Sequence, residues 1–371
     1  MSIVRARLKA YSLPLRDPWP SADGDVTERR GWILALEDDL GRVGLGDAAP
    51  FPGFGLETHT SAGAGLRLAM TRLVGTTRDG YAAAINDLTV LAPVAATSTA
   101  RSAIDCALHD LIAQAAELPL ARYLGGASTL RAVPVNATVP RVPPERTAEM
   151  GLRAVAAGIR TIKVKVGGVG AREDEARLSA LRDAVGPEIR IRIDANQAWN
   201  PDHAIETLRA LARFDLEFAE QPVSADDLEG LARVRKASSV RIAADESVRD
   251  TKSAEMVLYR SAADILVVKP MALGGLREAR SVQNVAADGN MPVVVTSLVE
   301  SAIGRTAALH FAASLGETPY AHGIATGGAL AEDLAPAPEL QGGTMAVPDR
   351  PGLGIALPAD FWRDAHTVEA E

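Results

Sequence analysis

The sequence predicts an α/β protein: a modified (β/α)7β barrel of TIM type with an α+β capping domain. Three features predict it. After Gly125-Gly126, eight short apolar runs alternate with longer stretches rich in Ala, Leu, Arg and Glu. The sequence before that point lacks this alternation and places strands first, then helices. The last apolar run is followed by Pro- and Gly-rich sequence in place of another helical stretch.

The bulk composition agrees. At 371 residues the chain can hold a large α/β domain and a smaller one. Aromatic residues are only 4% against 47% hydrophobic residues in all, so the core is built from Ala, Val, Leu and Ile. Such a core suits buried parallel strands covered by helices. A net charge of −8 argues against nucleic acid as a partner, because phosphate binding needs a basic surface. The single cysteine, Cys106, excludes an internal disulfide and a multi-cysteine zinc site, and reads as a small buried hydrophobe. No apolar stretch is long enough to span a membrane, and the N-terminus lacks a signal-peptide pattern. A cytoplasmic protein is the expectation, with a homo-oligomer left open.

Residues 1–125 read as the cap, joined by a C-terminal segment of about 345–371. Ile3 to Leu13 and Gly31 to Asp38 have strand character, and the turn Asp38-Asp39-Leu40-Gly41 leads into Arg42 to Ala48. Helical spacing follows, clearest where Ala103, Ala107, Leu108, Leu111 and Ile112 recur. The Pro-, Asp- and Gly-containing stretch from Leu15 to Arg30 reads as a mobile lid.

Residues 126–344 read as the barrel. Its strand runs are Val133 to Val139, Thr161 to Val166, Ile189 to Ile193, Leu216 to Ala219, Val240 to Ala244, Ile265 to Val268, Pro292 to Thr296 and Ala321 to Ala325. An open doubly wound sheet is the alternative; eight consecutive units favour the barrel. Gly167-Gly168-Val169-Gly170 follows a strand but is no dinucleotide fingerprint, and reads as loop flexibility.

A parallel barrel places its active site at the C-terminal strand ends. Lys163 and Lys165 on the second run are two apart and share a face. The third run ends in Asp194, the fourth in Glu220, the fifth in Asp245 and the sixth in Lys269. One βα unit separates each from the next, so three carboxylates converge between Lys165 and Lys269. Crowded carboxylates repel, and a hard divalent cation with oxygen ligation relieves this, Mg²⁺ first and Mn²⁺ as the alternative. A lysine beside that cation has its ammonium form disfavoured and can act as a general base. The cation then stabilises the enediolate left when a proton α to a carboxylate departs. Singly, each of these residues reads better as a helix cap or a solvated charge. Jointly, charges at the same end of five consecutive strands do not.

On these residues the chain resembles the enolase superfamily, in its muconate-lactonizing subgroup, along nearly its whole length. The Lys-x-Lys of the second run and the Asp, Glu, Asp series with a sixth-run lysine carry the resemblance. It implies Lys165 and Lys269 as acid/base groups on opposite faces of a small carboxylate substrate, with Lys163 as a helper. It implies Asp194, Glu220 and Asp245 as ligands of Mg²⁺. Asn196, Glu246, Ser297, Glu300 and Thr326 would stand next to the ligands or the substrate.

Within the subgroup, the loop Gly46 to Gly55 and the ends Thr296 to Ser301 and His322 to Gly328 look like those of o-succinylbenzoate synthases, although Asp47 stands where Glu is usual. That implies dehydration of a cyclohexadiene carboxylate, a step of menaquinone synthesis. Dipeptide epimerases carry an Asp-x-Asp pair at the eighth strand end, whereas here no acid appears before Glu332-Asp333. The alternatives are a dipeptide epimerase or N-succinylamino acid racemase, a muconate-type cycloisomerase, and a barrel that binds Mg²⁺ without turnover.

Overall fold

The computed structural model describes residues 2–19, 25–86, 98–168 and 170–370. The cap begins with the antiparallel strands β1 (Ile3–Trp19), β2 (Val26–Asp38) and β3 (Val43–Ala48). Helices α1 (His59–Leu73), α2 (Arg78–Asn86), α3 (Ser98–Ala115) and α4 (Leu120–Gly125) follow. The middle of β2 is buried on both faces, which explains its unbroken apolar run. Leu34 and Leu36 pack into the cap core with Leu66 and Ile104, whereas Ile33 and Ala35 join the barrel core. β1 divides along its length instead: Ile3, Ala6 and Leu8 face the cap core, while Tyr11 and Leu13 face the barrel.

β3 lies so close to α3 that side chains are excluded between them. A Cβ on Gly46 would fall 1.8 Å from the Ala103 carbonyl oxygen, and one on Gly44 would fall 2.1 Å from that of Ala107. Backbone cannot yield as a side-chain tip can. Gly46→Ala is therefore expected to destabilise the cap by about 2–3 kcal/mol, read as a lowered urea midpoint.

Most of the stretch from Leu15 to Arg30, expected as a lid, is strand. β1 continues to Trp19 and β2 starts at Val26, leaving only residues 20–24 outside the described residues. The last strand, β14 (His366–Glu369), pairs with β1 from Arg5 to Leu8, so Pro14 and Pro18 of the β1–β2 ribbon lie beyond that ladder and interrupt none of its bonds. The ribbon reaches the barrel mouth, where Leu15 bridges Leu330 and the Ala331 amide donates to the Pro14 carbonyl at 2.8 Å.

The first barrel run divides in two. β4 (Ala132–Pro134) pairs antiparallel with β13 (Thr344–Ala346), itself a hairpin partner of β12 (Leu340–Gln341). β5 (Ala137–Val139) then opens a parallel sheet. Its successors are β6 (Thr161–Lys165), β7 (Arg190–Asp194), β8 (Leu216–Glu220), β9 (Ile242–Ala244), β10 (Ile265–Val268) and β11 (Val293–Val295), in sequential order. The eighth run closes the sheet through two parallel bridges, His322 to Val135 and Gly323 to Thr296. Outside lie α5 (Pro144–Ala156), α6 (Ala171–Val185), α7 (Pro201–Leu211), α8 (Leu228–Ala237), α9 (Thr251–Tyr259), the short α10 (Pro270–Leu273), α11 (Leu276–Asp288) and α12 (Ala302–Ser314). The eighth run is followed by a single 3-10 turn, Thr326–Ala329. Among the described residues no helix is long and apolar enough to cross a membrane.

Gly167 and Gly168 serve close packing as well as turning. Both have positive φ, and added Cβ atoms would meet Ala198 at 2.4 Å and Arg141 at 2.1 Å. Val169 lies outside the described residues.

Candidate active site

Parallel register sets the charged residues side by side. Lys165 pairs across from Asp194, and Asp194 from Glu220, so three adjacent strands end at one level. Asp245 follows the end of β9, and Lys269 follows the end of β10. The Lys163 ammonium lies 2.8 Å from Asp194 and donates to Glu220 at 2.7 Å. Lys165 donates to the same Asp194 oxygen at 2.6 Å and to the Asn196 side-chain oxygen at 2.7 Å. Lys269 is bonded to Asp245.

All three carboxylates are buried. Burial raises the Glu220 carboxyl, and the neighbouring charge of Asp194 adds to this, so that it is pushed up to about 7. Asp194 goes the other way: burial is outweighed by Lys163 and Lys165, which hold its carboxyl well below the usual range. Burial would lower the Lys163 ammonium, but the carboxylates of Asp194, Glu220 and Asp245 raise it. Burial raises Asp245.

Hard, all-oxygen donors on neighbouring strand ends fit a hard divalent cation by their chemistry. Among the described residues, however, no three His, Cys, Asp or Glu groups are gathered round one point. The lysine ammonium groups hold the oxygens that could ligate.

The outlying residues divide. Asn196 joins the cluster: its amide nitrogen donates to Glu246 at 3.1 Å while its oxygen faces Lys165. The second oxygen of Glu246 is buried and without a partner. Ser297 and Thr326 form a hydroxyl pair at 2.7 Å, joining the ends of the seventh and eighth runs. Glu300 stands apart, lining a small cavity between cap and barrel with Asp47, Cys106, Met271 and Gly304. On the Lys269 side the wall is apolar. The Phe54 ring lies 4.6 Å from the Lys269 nitrogen, and Ala49, Met271 and Leu298 pack with Phe51, Phe54 and Leu56.

Comparison with known proteins places this geometry. Residues 146–361 match the family model "Enolase C-terminal domain-like", and residues 4–125 match "Mandelate racemase / muconate lactonizing enzyme, N-terminal domain". The chain belongs to the enolase superfamily. An L-Ala-D/L-Glu epimerase of Bacillus subtilis (strain 168) is 33% identical over 361 residues, covering 96% of this chain and 97% of that protein. An o-succinylbenzoate synthase of Thermobifida fusca (strain YX) is 46% identical over 210 residues, covering 56% of this chain and 64% of that one. A dipeptide epimerase from Enterococcus faecalis V583, solved with Mg and the dipeptide L-Leu-L-Tyr, superposes with a TM-score of 0.89 at 29% identity, covering 96% of this chain and all of that one.

This enolase-superfamily chain also has a polar cluster at the cap–barrel joint, built around Asp47, which the sequence marked only as a departure from the usual Glu. Buried Asp47 accepts from the Tyr11 hydroxyl at 2.9 Å and from Ser301 through both its hydroxyl, at 2.7 Å, and its amide, at 3.1 Å. Burial pushes its carboxyl up to about 7, against the lowering effect of these hydrogen bonds. The folded state therefore keeps a proton that unfolded Asp47 releases at the ordinary aspartate value near 3.8. The stability this contributes is full below that value and is lost as pH rises to about 7. Asp47→Asn is expected to flatten that part of the stability–pH curve, measured as urea midpoints between pH 4 and 8. Two histidines and the lone cysteine are structural. His310 accepts from the Ala121 amide and pairs with the Leu353 carbonyl, His322 accepts from the Val295 amide, and burial raises the Cys106 thiol.

Proposed function

We propose that the chain is a Mg²⁺-dependent o-succinylbenzoate synthase, with Mn²⁺ as a substitute, acting on a small cyclohexadiene carboxylate. The observation that carries the reading is the eighth strand end. The hydroxyl pair of Ser297 and Thr326 stands there in place of a carboxylate for a substrate ammonium. Of the next acids, Glu332 is exposed. Asp333 is taken up by Arg305 at 2.5 Å and by the Ala302 and Leu334 amides, each at 2.8 Å. The apolar wall beside Lys269 supports the same reading, since it favours a hydrocarbon ring over a charged amine.

Asp194, Glu220 and Asp245 would hold the metal, which when bound supplies positive charge against the substrate carboxylate. Lys165 Nζ takes the α-proton, the C–H electron pair forms the new ring C=C bond as the C–O bond to the hydroxyl breaks, and the proton held on Lys165 passes to the departing hydroxide, which leaves as water. Lys269, on the opposite side of the mouth, offsets negative charge from the other face. Asn196 orients Lys165, and Lys163 balances Asp194 and Glu220.

A dipeptide epimerase is the second reading. It is favoured by full-length similarity to the Bacillus subtilis epimerase, against similarity over 56% of this chain for the synthase. α-Proton exchange in deuterated water with dipeptides and N-succinylamino acids separates the two. The synthase reading expects exchange with them at least about 100-fold slower than dehydration. Dipeptide exchange at a comparable or higher rate would assign the chain to the epimerases.

A further inference from the structure

The cap loop with Phe54 and the turn after β11 belong to different parts of the chain, yet one buried side chain holds both. Arg29 on β2 is 4% exposed. Its guanidinium donates to the Ala49 carbonyl at 3.0 Å and the Pro50 carbonyl at 3.1 Å, both in the cap loop. Its Nε donates to the Val299 carbonyl at 3.3 Å, in the barrel. Its flat face lies 4.5 Å from the Phe51 ring. Val299 has a φ of +61°, a left-handed conformation that β-branched residues rarely adopt. Such a backbone persists only where its surroundings over-determine it, and it concentrates at functional sites.

We infer that Arg29 is a positioning residue, which locks the Phe54 loop of the cap to the strained Leu298–Val299 turn of the barrel and so fixes the substrate-facing wall beside Lys269. The planar fork suits this task. Three donors in fixed geometry reach three carbonyls on two segments, which a lysine ammonium at the same site cannot reproduce. Arg29 also offsets the buried Asp47 and Glu300 carboxyls, a charge role that a lysine keeps, so what R29K removes is the geometry. Both segments meet directly: Ala49 and Leu298 share one apolar cluster with Met271. If the loop shifts, so does the ring over Lys269. The kinetic part of this inference rests on Lys165 and Lys269 being the proton-handling pair; the structural part does not.

The test compares wild type with Arg29→Lys, alone and combined with Val299→Gly. Hydrogen–deuterium exchange is read on peptides spanning 47–56 and 296–301, Mg²⁺ affinity by calorimetry, and kcat and KM on the substrate that the wild type turns over. R29K is expected to speed exchange at least tenfold in both segments together. It should lower kcat/KM by about 100-fold, the scale of a misplacement near 1 Å, with Mg²⁺ affinity unchanged. Glycine takes positive φ without strain, so adding V299G should restore protection of 296–301 and part of kcat/KM. Phe51→Leu, which keeps Arg29 but removes the ring beneath it, should loosen the same two segments less, and provides the reading if R29K does not fold. Unchanged exchange, loosening of one segment alone, or Mg²⁺ affinity falling in step with activity would overturn the inference. An inactive wild type whose two segments still loosen together in R29K would fault the reaction assigned and leave the lock standing.

Discussion

Lys165→Ala is expected to lower kcat by about 10³-fold or more, within the range that removal of a general base gives. The lysine has two acceptors, Asp194 and Asn196, and sits at the level where the three strands end. Its loss leaves Asp194 paired with Lys163 at 2.8 Å, so the buried carboxylate keeps a partner and the fold should hold. Mg²⁺ affinity should not fall, because the substitution removes a cation that competes for the same oxygen. Steady-state kinetics beside calorimetry separates these effects. A variant that loses metal binding and activity together would make Lys165 a structural support instead of a base.

Glu220→Gln carries the second large effect. Changes to residues that merely support ligands cost roughly 10- to 100-fold in metal affinity, and loss of a ligand's charge should exceed that. Thermal stability should hold or rise. Glu220 is buried with its carboxyl pushed up to about 7, and an amide keeps an acceptor for Lys163 without the buried charge. Calorimetric titration with Mg²⁺ and a thermal melt on the same sample test both halves. Turnover should vanish on chelation in the wild type and return with added Mg²⁺.

The charged strand ends were legible because their pattern is one-dimensional: each follows an apolar run by a fixed offset, and the βα repeat sets them side by side. Lys165, Asp194 and Glu220 end neighbouring strands at one level, Lys163 bonds to Glu220 and Lys269 to Asp245, but no three acids gather round one point among the described residues. Their ion pairing was not legible, since Lys163 reaches Glu220, 57 positions further along the chain, and such a contact leaves no mark on local sequence. Arg29 was missed for a related reason. Its partners are backbone carbonyls, which every residue carries, and one of them lies 270 positions away. At Leu15 to Arg30 composition suggested a loop where most described residues are strand, because Pro14 and Pro18 lie beyond the β14 ladder and interrupt none of its bonds. At Gly167-Gly168 the loop reading left out a second role, since added Cβ atoms would meet Ala198 and Arg141. The eighth run was legible as apolar sequence, but only His322 and Gly323 make its bridges, because it closes the sheet at a single step.

Dehydration of a cyclohexadiene carboxylate through Lys165, with the help of a divalent cation, is the activity we propose for this constellation. An ultraviolet assay with the cyclohexadiene precursor of o-succinylbenzoate, with and without Mg²⁺ and beside Lys165→Ala, tests it most directly. Rapid, metal-dependent loss of precursor absorbance that disappears in the variant is the result predicted. A folded wild type that binds Mg²⁺ and leaves the precursor untouched would contradict it.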